Sequence, residues 1–284
     1  MAIDYNQLIN FAIPDAVQNY DERDCILYAL GLGFGADPVD PRQLRYVYEK
    51  DLVAFPAMAV ILAMGSSWAR QDETGITYAQ LLHAEQQFQI HRPLPIKGSV
   101  VSRSRVSEVI DKGEGRGAIV VAERRLFIDG EETPSATLST TLFCRADGGF
   151  GGPVTASPKP RPFPDGEPDL EISIATLPQA ALIYRLSGDD NPLHSDPAVA
   201  AKAGFNAPIL HGLCSFGIAV RSVVEGLDLD PAMVTGGGAR FTAPVYPGET
   251  LTTSIWRAAE GAYFRTRIAD RDLMALNHGW ITAR

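Results

Sequence analysis

Between Tyr184 and His194 the chain reads Tyr-Arg-Leu-Ser-Gly-Asp-Asp-Asn-Pro-Leu-His, gathering an acid, an amide and an imidazole at Asp189, Asn191 and His194. Proton transfer on a small molecule needs such groups: a carboxylate and an imidazole to move the proton, an amide to orient what they act on. Pro192 bars a regular helix or a central strand here, so the side chains sit on a turn and can point into one cavity. The same letters are also ordinary turn chemistry, with Asx side chains bonding their own backbone and His194 capping the next segment of chain. A second segment shifts the balance. Ala207-Pro-Ile-Leu-His-Gly212 enters an apolar run with Leu213, Phe216, Ile218, Val220, Val223 and Val224, which reads as a loop leading into a buried helix. The first N–H groups of such a helix lack internal partners and carry partial positive charge. Gly212, with no side chain, lets a substrate oxygen approach one of them, and His211 buttresses the helix entry.

Together the two segments resemble the MaoC-like family of R-specific enoyl-CoA hydratases, whose signature runs aromatic-x-Leu-Ser/Thr-Gly-Asp-x-Asn-Pro-Leu-His. Tyr184, Leu186, Ser187, Gly188, Asp189, Asn191, Pro192, Leu193 and His194 fill every fixed position. The resemblance continues through Ala203 to Gly212 and Arg240 to Gly248. Leu27-Tyr-Ala-Leu-Gly-Leu-Gly33 and Asp111-Lys-Gly113 are similar to stretches of hydratases made of two fused hot-dog units. It implies an α+β double hot-dog, two antiparallel sheets each wrapping a long helix, side by side as a pseudo-dimer. It also implies reversible hydration of trans-2-enoyl-CoA to (R)-3-hydroxyacyl-CoA. Asp189, Asn191 and His194 would surround a catalytic water, with the Gly212 N–H on the thioester oxygen. Carried over residue by residue, substrate contacts fall on His83, Ala84, Lys112, Asp190, Pro192, Leu193 and Phe241. Ala84 departs from the family glycine, and its methyl would crowd the ligand. On the residues alone, His83 reads equally as a histidine at a strand edge and Phe241 as core. The implied chemistry uses no metal and no redox cofactor, because coenzyme A is part of the substrate. Which of Asp189 and His194 is the base stays open, since the two titrate as a coupled pair. Also open are a dehydratase of acyl-carrier-protein thioesters, a hot-dog thioesterase and a non-catalytic acyl-CoA-binding subunit.

With 284 residues, 45% of them hydrophobic and 21% charged, the chain is long enough for two domains with their own cores. A formal charge of -9 argues against nucleic acid or an anionic membrane as partner. The phosphates of an acyl-CoA need only local cations; Arg92, Lys97, Lys112 and Arg240 are candidates, each also readable as a solvated surface charge. Cys25, Cys144 and Cys214 are widely spaced in apolar contexts, as expected of buried reduced thiols in a cytoplasmic protein and not of a disulfide frame or metal site. No apolar run approaches the roughly 20 residues of a spanning helix, and the opening residues carry no secretory pattern. Hot-dog units commonly associate, so a homodimer is expected.

The elements that must position these groups fall into two units. Glycines give way to closely spaced prolines between Asp147 and Pro168, which divides the chain into an amino-terminal unit at 1–150, a connector at 151–170 and a carboxyl-terminal unit at 171–284. The first would bind the acyl and CoA groups and the second would catalyse. The units repeat weakly: Tyr28 aligns with Tyr184 and Leu30 with Leu186, while Asp189, Asn191 and His194 face Gly33, Gly35 and Pro38. Arg92 to Gly98 likewise echoes Ala243 to Gly248. Periodicity predicts helices near 41–48, 56–64, 197–203 and 213–225, and strands at 99–109, 117–128, 135–144, 250–257 and 262–270.

Overall fold

The computed structural model describes residues 2–65, 67–153 and 161–284. Its strands are β1 (Ala16–Tyr20), β2 (Leu81–Ile90), β3 (Gly98–Asp111), β4 (Ala118–Ile128), β5 (Ala136–Cys144), β6 (Leu170–Ala175), β7 (Val234–Phe241), β8 (Thr250–Ala258), β9 (Gly261–Ile268) and β10 (Leu273–Ala283). They form one ten-stranded sheet in the order β1-β3-β4-β5-β2-β7-β10-β9-β8-β6. From the middle outward, each half follows the same path, so the second repeats the first. The halves meet where β2 and β7 pair antiparallel, Glu85 opposite Arg240 through Gln89 opposite Gly236. This is the double hot-dog, with one correction: the two sheets expected are continuous, because each supplies the bare edge that the other pairs.

Alternation sets the inner face. Along β4, Ala118, Val120, Ala122, Leu126 and Ile128 are buried while the residues between them are not. Glycine decides the middle of the sheet. A Cβ at Gly237 would stand 2.6 Å from Ile281 and 2.8 Å from Phe88, and one at Gly238 would stand 2.9 Å from the Trp280 indole nitrogen. The run Gly236–Gly238 is therefore what lets β7 carry large residues on both neighbours.

The helices are α1 (Tyr5–Ile9), α2 (Glu22–Gly31), α3 (Pro41–Leu44), α4 (Ala180–Tyr184), α5 (Pro197–Lys202) and α6 (Gly212–Gly226). Every residue of α6 from Leu213 to Val224 is buried, as a helix apolar on nearly all sides must be. Its one buried charge, Arg221, pairs with Glu225 at 3.0 Å and donates to the Leu32 carbonyl at 3.0 Å, tying the halves together. Near the pseudo-twofold, Tyr28 and Tyr184 are both fully buried with ring centroids 5.8 Å apart, as their alignment implies.

The amino-terminal half does not wrap a long helix. The stretch predicted as helix at 56–64 is a 3-10 turn over Pro56–Val60, followed by irregular backbone with Ala63 at φ 46° and Gly65 at φ 71°. Helical backbone would satisfy its own groups; here the sheet satisfies them. Arg124 donates to the Val60 carbonyl at 2.6 Å, Ser102 donates to the Ala63 carbonyl at 2.7 Å, and the Gln18 amide oxygen accepts from the Ala63 N–H at 2.6 Å. The 41–48 helix likewise stops at Leu44. All three cysteines are free and buried. Among the described residues no helix is long and apolar enough to cross a membrane. The expected connector at 151–170 lies partly outside the described residues; in its described part, Phe163 packs edge-on against Trp256 with centroids 5.0 Å apart.

Candidate active site

The turn that carries the acid is built by its own side chains. Helix α4 runs into a 3-10 turn over Arg185–Ser187, which Gly188 ends at φ 120°. Asp189 then accepts from the Asn191 N–H at 3.3 Å, and Asn191 accepts from the Leu193 N–H at 3.2 Å, capping a second 3-10 turn over Pro192–His194. The ordinary turn chemistry is therefore present, and it fixes the backbone that carries Asp189, Asn191 and His194. His194 is 8% exposed, and its Nδ1 lies 2.8 Å from the Ile209 carbonyl oxygen. A carbonyl only accepts, so Nδ1 carries the proton and the neutral ring keeps a lone pair on Nε2. Burial drives the His194 pKa down, against the opposing pull of the Ile209 bond and the Asp189 charge.

His211 joins the two loops. It stands at the N-cap of α6, donates from Nε2 to the Asp189 main-chain oxygen at 3.1 Å, and stacks on His194 with centroids 3.9 Å apart. Burial first, and His194 second, press its pKa down to about 3, so the ring is neutral and acts as a spacer rather than a charge. Donor atoms of Asp189, His194 and His211 all lie within 4.8 Å of one another. That spacing is close enough to hold a divalent cation and equally suits a single water. The first residue of α6 is Gly212, which is exposed, and neither its N–H nor that of Leu213 finds an acceptor among the described residues. At the head of a 15-residue helix these amides form a site for developing negative charge.

Residues from both sides of the β2–β7 seam lie beside these groups. Phe241, at the end of β7, lies against Gly212: a Cβ there would sit 3.2 and 3.3 Å from its ring. His83 of β2 packs on the same ring at 4.8 Å between centroids. Its Nε2 is buried without a partner, and burial holds its pKa down near 4 while the Asp189 charge pulls upward. Ala84 is the extra residue of a bulge between His83 and Glu85 in the pairing of β2 with β5. Asp190 and Pro192 are exposed on the turn, and Leu193 is half-buried. Of the candidate phosphate donors, Arg92 pairs with Glu131, Lys97 with Glu22 and Arg240 with Glu85. Lys112 differs: it is exposed, lies 5.2 Å from the Phe143 ring centroid, and has no carboxylate partner among the described residues. Phe143 is paired with Leu82, next to His83, so Lys112 stands at the end of the sheet that carries the site.

Sequence reasoning missed the Ile209 carbonyl, because a main-chain oxygen leaves no letter. It also missed Ile61, whose carbonyl would lie 3.9 Å from a Cβ at Gly188, and Arg124 behind it. An arginine at an inward position of an alternating strand was the available signal for the latter.

Comparison with known proteins covers both halves. Residues 18–146 match the MFE-2 hydratase 2 N-terminal domain and residues 161–275 match the MaoC like domain. The chain is 42% identical over 279 residues to 3-hydroxyacyl-thioester dehydratase Y of Mycobacterium tuberculosis, covering 96% of this chain and 94% of that protein. It is 36% identical to enoyl-CoA hydratase 2, peroxisomal, of Arabidopsis thaliana, over 95% of this chain and 92% of the relative. A crystal structure of a MaoC-like dehydratase from Phytophthora capsici superposes with a TM-score of 0.86 at 29% identity, covering 99% of each chain.

Proposed function

Because the chain belongs to the MaoC-like hydratase family in its duplicated form, we propose that it reversibly hydrates trans-2-enoyl-CoA to (R)-3-hydroxyacyl-CoA. One observation supports the chemical part of this reading: a carboxylate oxygen of Asp189 and ring nitrogens of His194 and His211 lie within 4.8 Å of one another, and Gly212, the residue after His211, offers an unpartnered N–H at the head of α6. A water held between Asp189 and His194, steadied by Asn191, loses a proton to Nε2 as its oxygen bonds the β-carbon. The double-bond electrons move toward the thioester, whose oxygen takes negative charge beside the Gly212 amide. Asp189 stabilises the imidazolium, which returns the proton to the α-carbon, so water is consumed and nothing is oxidised or reduced. Neither a metal nor a redox cofactor enters the proposal.

In the same reading the amino-terminal half, 1–150, is the non-catalytic acyl- and CoA-binding unit, and 171–284 the catalytic one. His83, Ala84, Phe241 and Leu193 line the thioester end of the pocket, Asp190 and Pro192 its rim, and Lys112 meets the coenzyme phosphates. We assign the chain a cytoplasmic site of action and a homodimeric state; the Arabidopsis relative is named as peroxisomal. The test is steady-state hydration of crotonyl-CoA and a longer enoyl-CoA. Asp189→Asn and His194→Ala should each lose at least about a hundredfold in kcat, the scale of a positioned acid or base. Unchanged turnover in either variant sinks the assignment, and tight binding by calorimetry with no hydration would favour a binding subunit.

A further inference from the structure

The inner face of the amino-terminal half should be apolar if it receives a hydrocarbon chain, and along most of β4 it is. Arg124 interrupts that face. It occupies an inward position in the row Ala118, Val120, Ala122, Leu126 and Ile128. Across the neighbouring strands it faces Ser104 of β3 and Leu138 of β5. A guanidinium carries five N–H donors in a planar fork; among the described residues one is used, on the Val60 carbonyl at 2.6 Å, and no carboxylate pairs with it. Burial presses its pKa down to about 10, which leaves it charged at neutral pH. Arg124 is half-buried, and its N–H groups beyond the one on Val60 have no protein partner among the described residues, so an anion that reaches them gains charge-assisted hydrogen bonds.

The surroundings place this charge in the acyl region and not on an unrelated surface. Val60 precedes Ile61, whose carbonyl lies beside Gly188 of the catalytic turn. His83 feels both charges, Asp189 pulling its pKa up and Arg124 pressing it down. Between them the inner face is polar: Gln86 is buried, and Thr140 donates to its amide oxygen at 3.0 Å.

Resting on the hydratase reading above, we propose that Arg124 selects enoyl-CoA substrates whose acyl chain ends in a carboxylate, by pairing its free N–H groups with that group beneath the Pro56–Val60 turn. A guanidinium offers two parallel donors to the two carboxylate oxygens, so the site reads the end of the chain and not only its length. It discriminates by leaving a half-buried guanidinium without an anion when a plain hydrocarbon enters.

The experiment compares kcat/KM for an ω-carboxy trans-2-enoyl-CoA and the matching unsubstituted enoyl-CoA over a series of chain lengths. The wild-type ratio should favour the carboxylated substrate by roughly tenfold or more at one length. Arg124→Met should bring that ratio down by roughly the same factor, and Arg124→Lys should keep part of it. A wild-type ratio near one at every length overturns the inference without any variant, and so does a ratio that Arg124→Met leaves unchanged. If neither thioester is hydrated at any length, the hydratase reading itself fails.

Discussion

Replacing Gly212 by alanine tests the oxyanion assignment with one methyl group. The backbone tolerates it, since Gly212 is the first residue of α6 and lies outside the left-handed region. Alanine in place of glycine in a helix is worth roughly 0.5–1 kcal/mol, and less at a terminus. Against that, the new Cβ meets the Phe241 ring at 3.2, 3.3 and 3.7 Å, so ring or helix must give by a few tenths of an ångström. Overpacking of this kind costs roughly 1–3 kcal/mol. The first term offsets only part of the second, and unfolding should move by up to about 2.5 kcal/mol. Activity should fall as well, through a different cause. Removing an oxyanion donor outright costs roughly 10²–10³ in kcat; this amide survives but is displaced or screened, so a loss of roughly ten- to a hundredfold is expected. The assay is kcat/KM for crotonyl-CoA in a double-mutant cycle with Phe241→Leu, which opens the space the methyl needs. Gly212→Ala should be far less harmful in the Phe241→Leu background, giving a coupling of roughly 1 kcal/mol or more. Full activity in Gly212→Ala alone, or strict additivity in the cycle, refutes the reasoning.

Other outcomes stem from burial. His83 and His211 are held near 4 and 3, below the roughly 6.5 of a free histidine, so between those limits the unfolded chain binds more protons than the folded one. Stability should therefore rise with pH over that window; melting temperatures should fall steadily from about pH 6.5 down to 4, and a flat profile would contradict the burial. His194 is lowered by the same cause, so the acid limb of kcat/KM should lie below the ordinary histidine range. Gly237→Ala places a methyl 2.6 Å from Ile281 and 2.8 Å from Phe88, and denaturant unfolding should show a loss of roughly 1–3 kcal/mol or more; an unaffected midpoint would mean that the close seam is not required.

What the letters carried and what they did not divides along physical lines. The Asp189–His194 turn was legible as a turn because Asp189, Asn191 and Pro192 act locally, and α6 because its apolar residues crowd every side of the helix. Strands β3, β4, β5, β8 and β9 were legible from their alternation, within a residue or two at each end. Strand β7 was not, since three consecutive glycines carry no strand pattern, and only Phe88 and Trp280 across the pairing supply the reason for them. Strand β2 carries Gln86 at a buried position in line with Phe88 and Ile90, where alternation asks for an apolar residue, and it pairs on both sides, so its pattern is weak. The 56–64 stretch reads as helix by composition, and only the side chains of Gln18, Ser102 and Arg124, far away in sequence, reveal that its backbone is held another way. His83 and Phe241 were carried by resemblance alone, because nothing local announces a contact across the seam.

Joining the two halves in one chain changes what each is free to become. In a pair of identical subunits every substitution is made twice, so dissolving a central helix would hollow out both cores together. Here the loss at Pro56–Val60 is confined to one side, while α6 stays intact on the other to present its amides. A single chain can thus be asymmetric where a pair of identical subunits cannot, with one lobe keeping its buried helix and the other holding an irregular backbone by distant side chains.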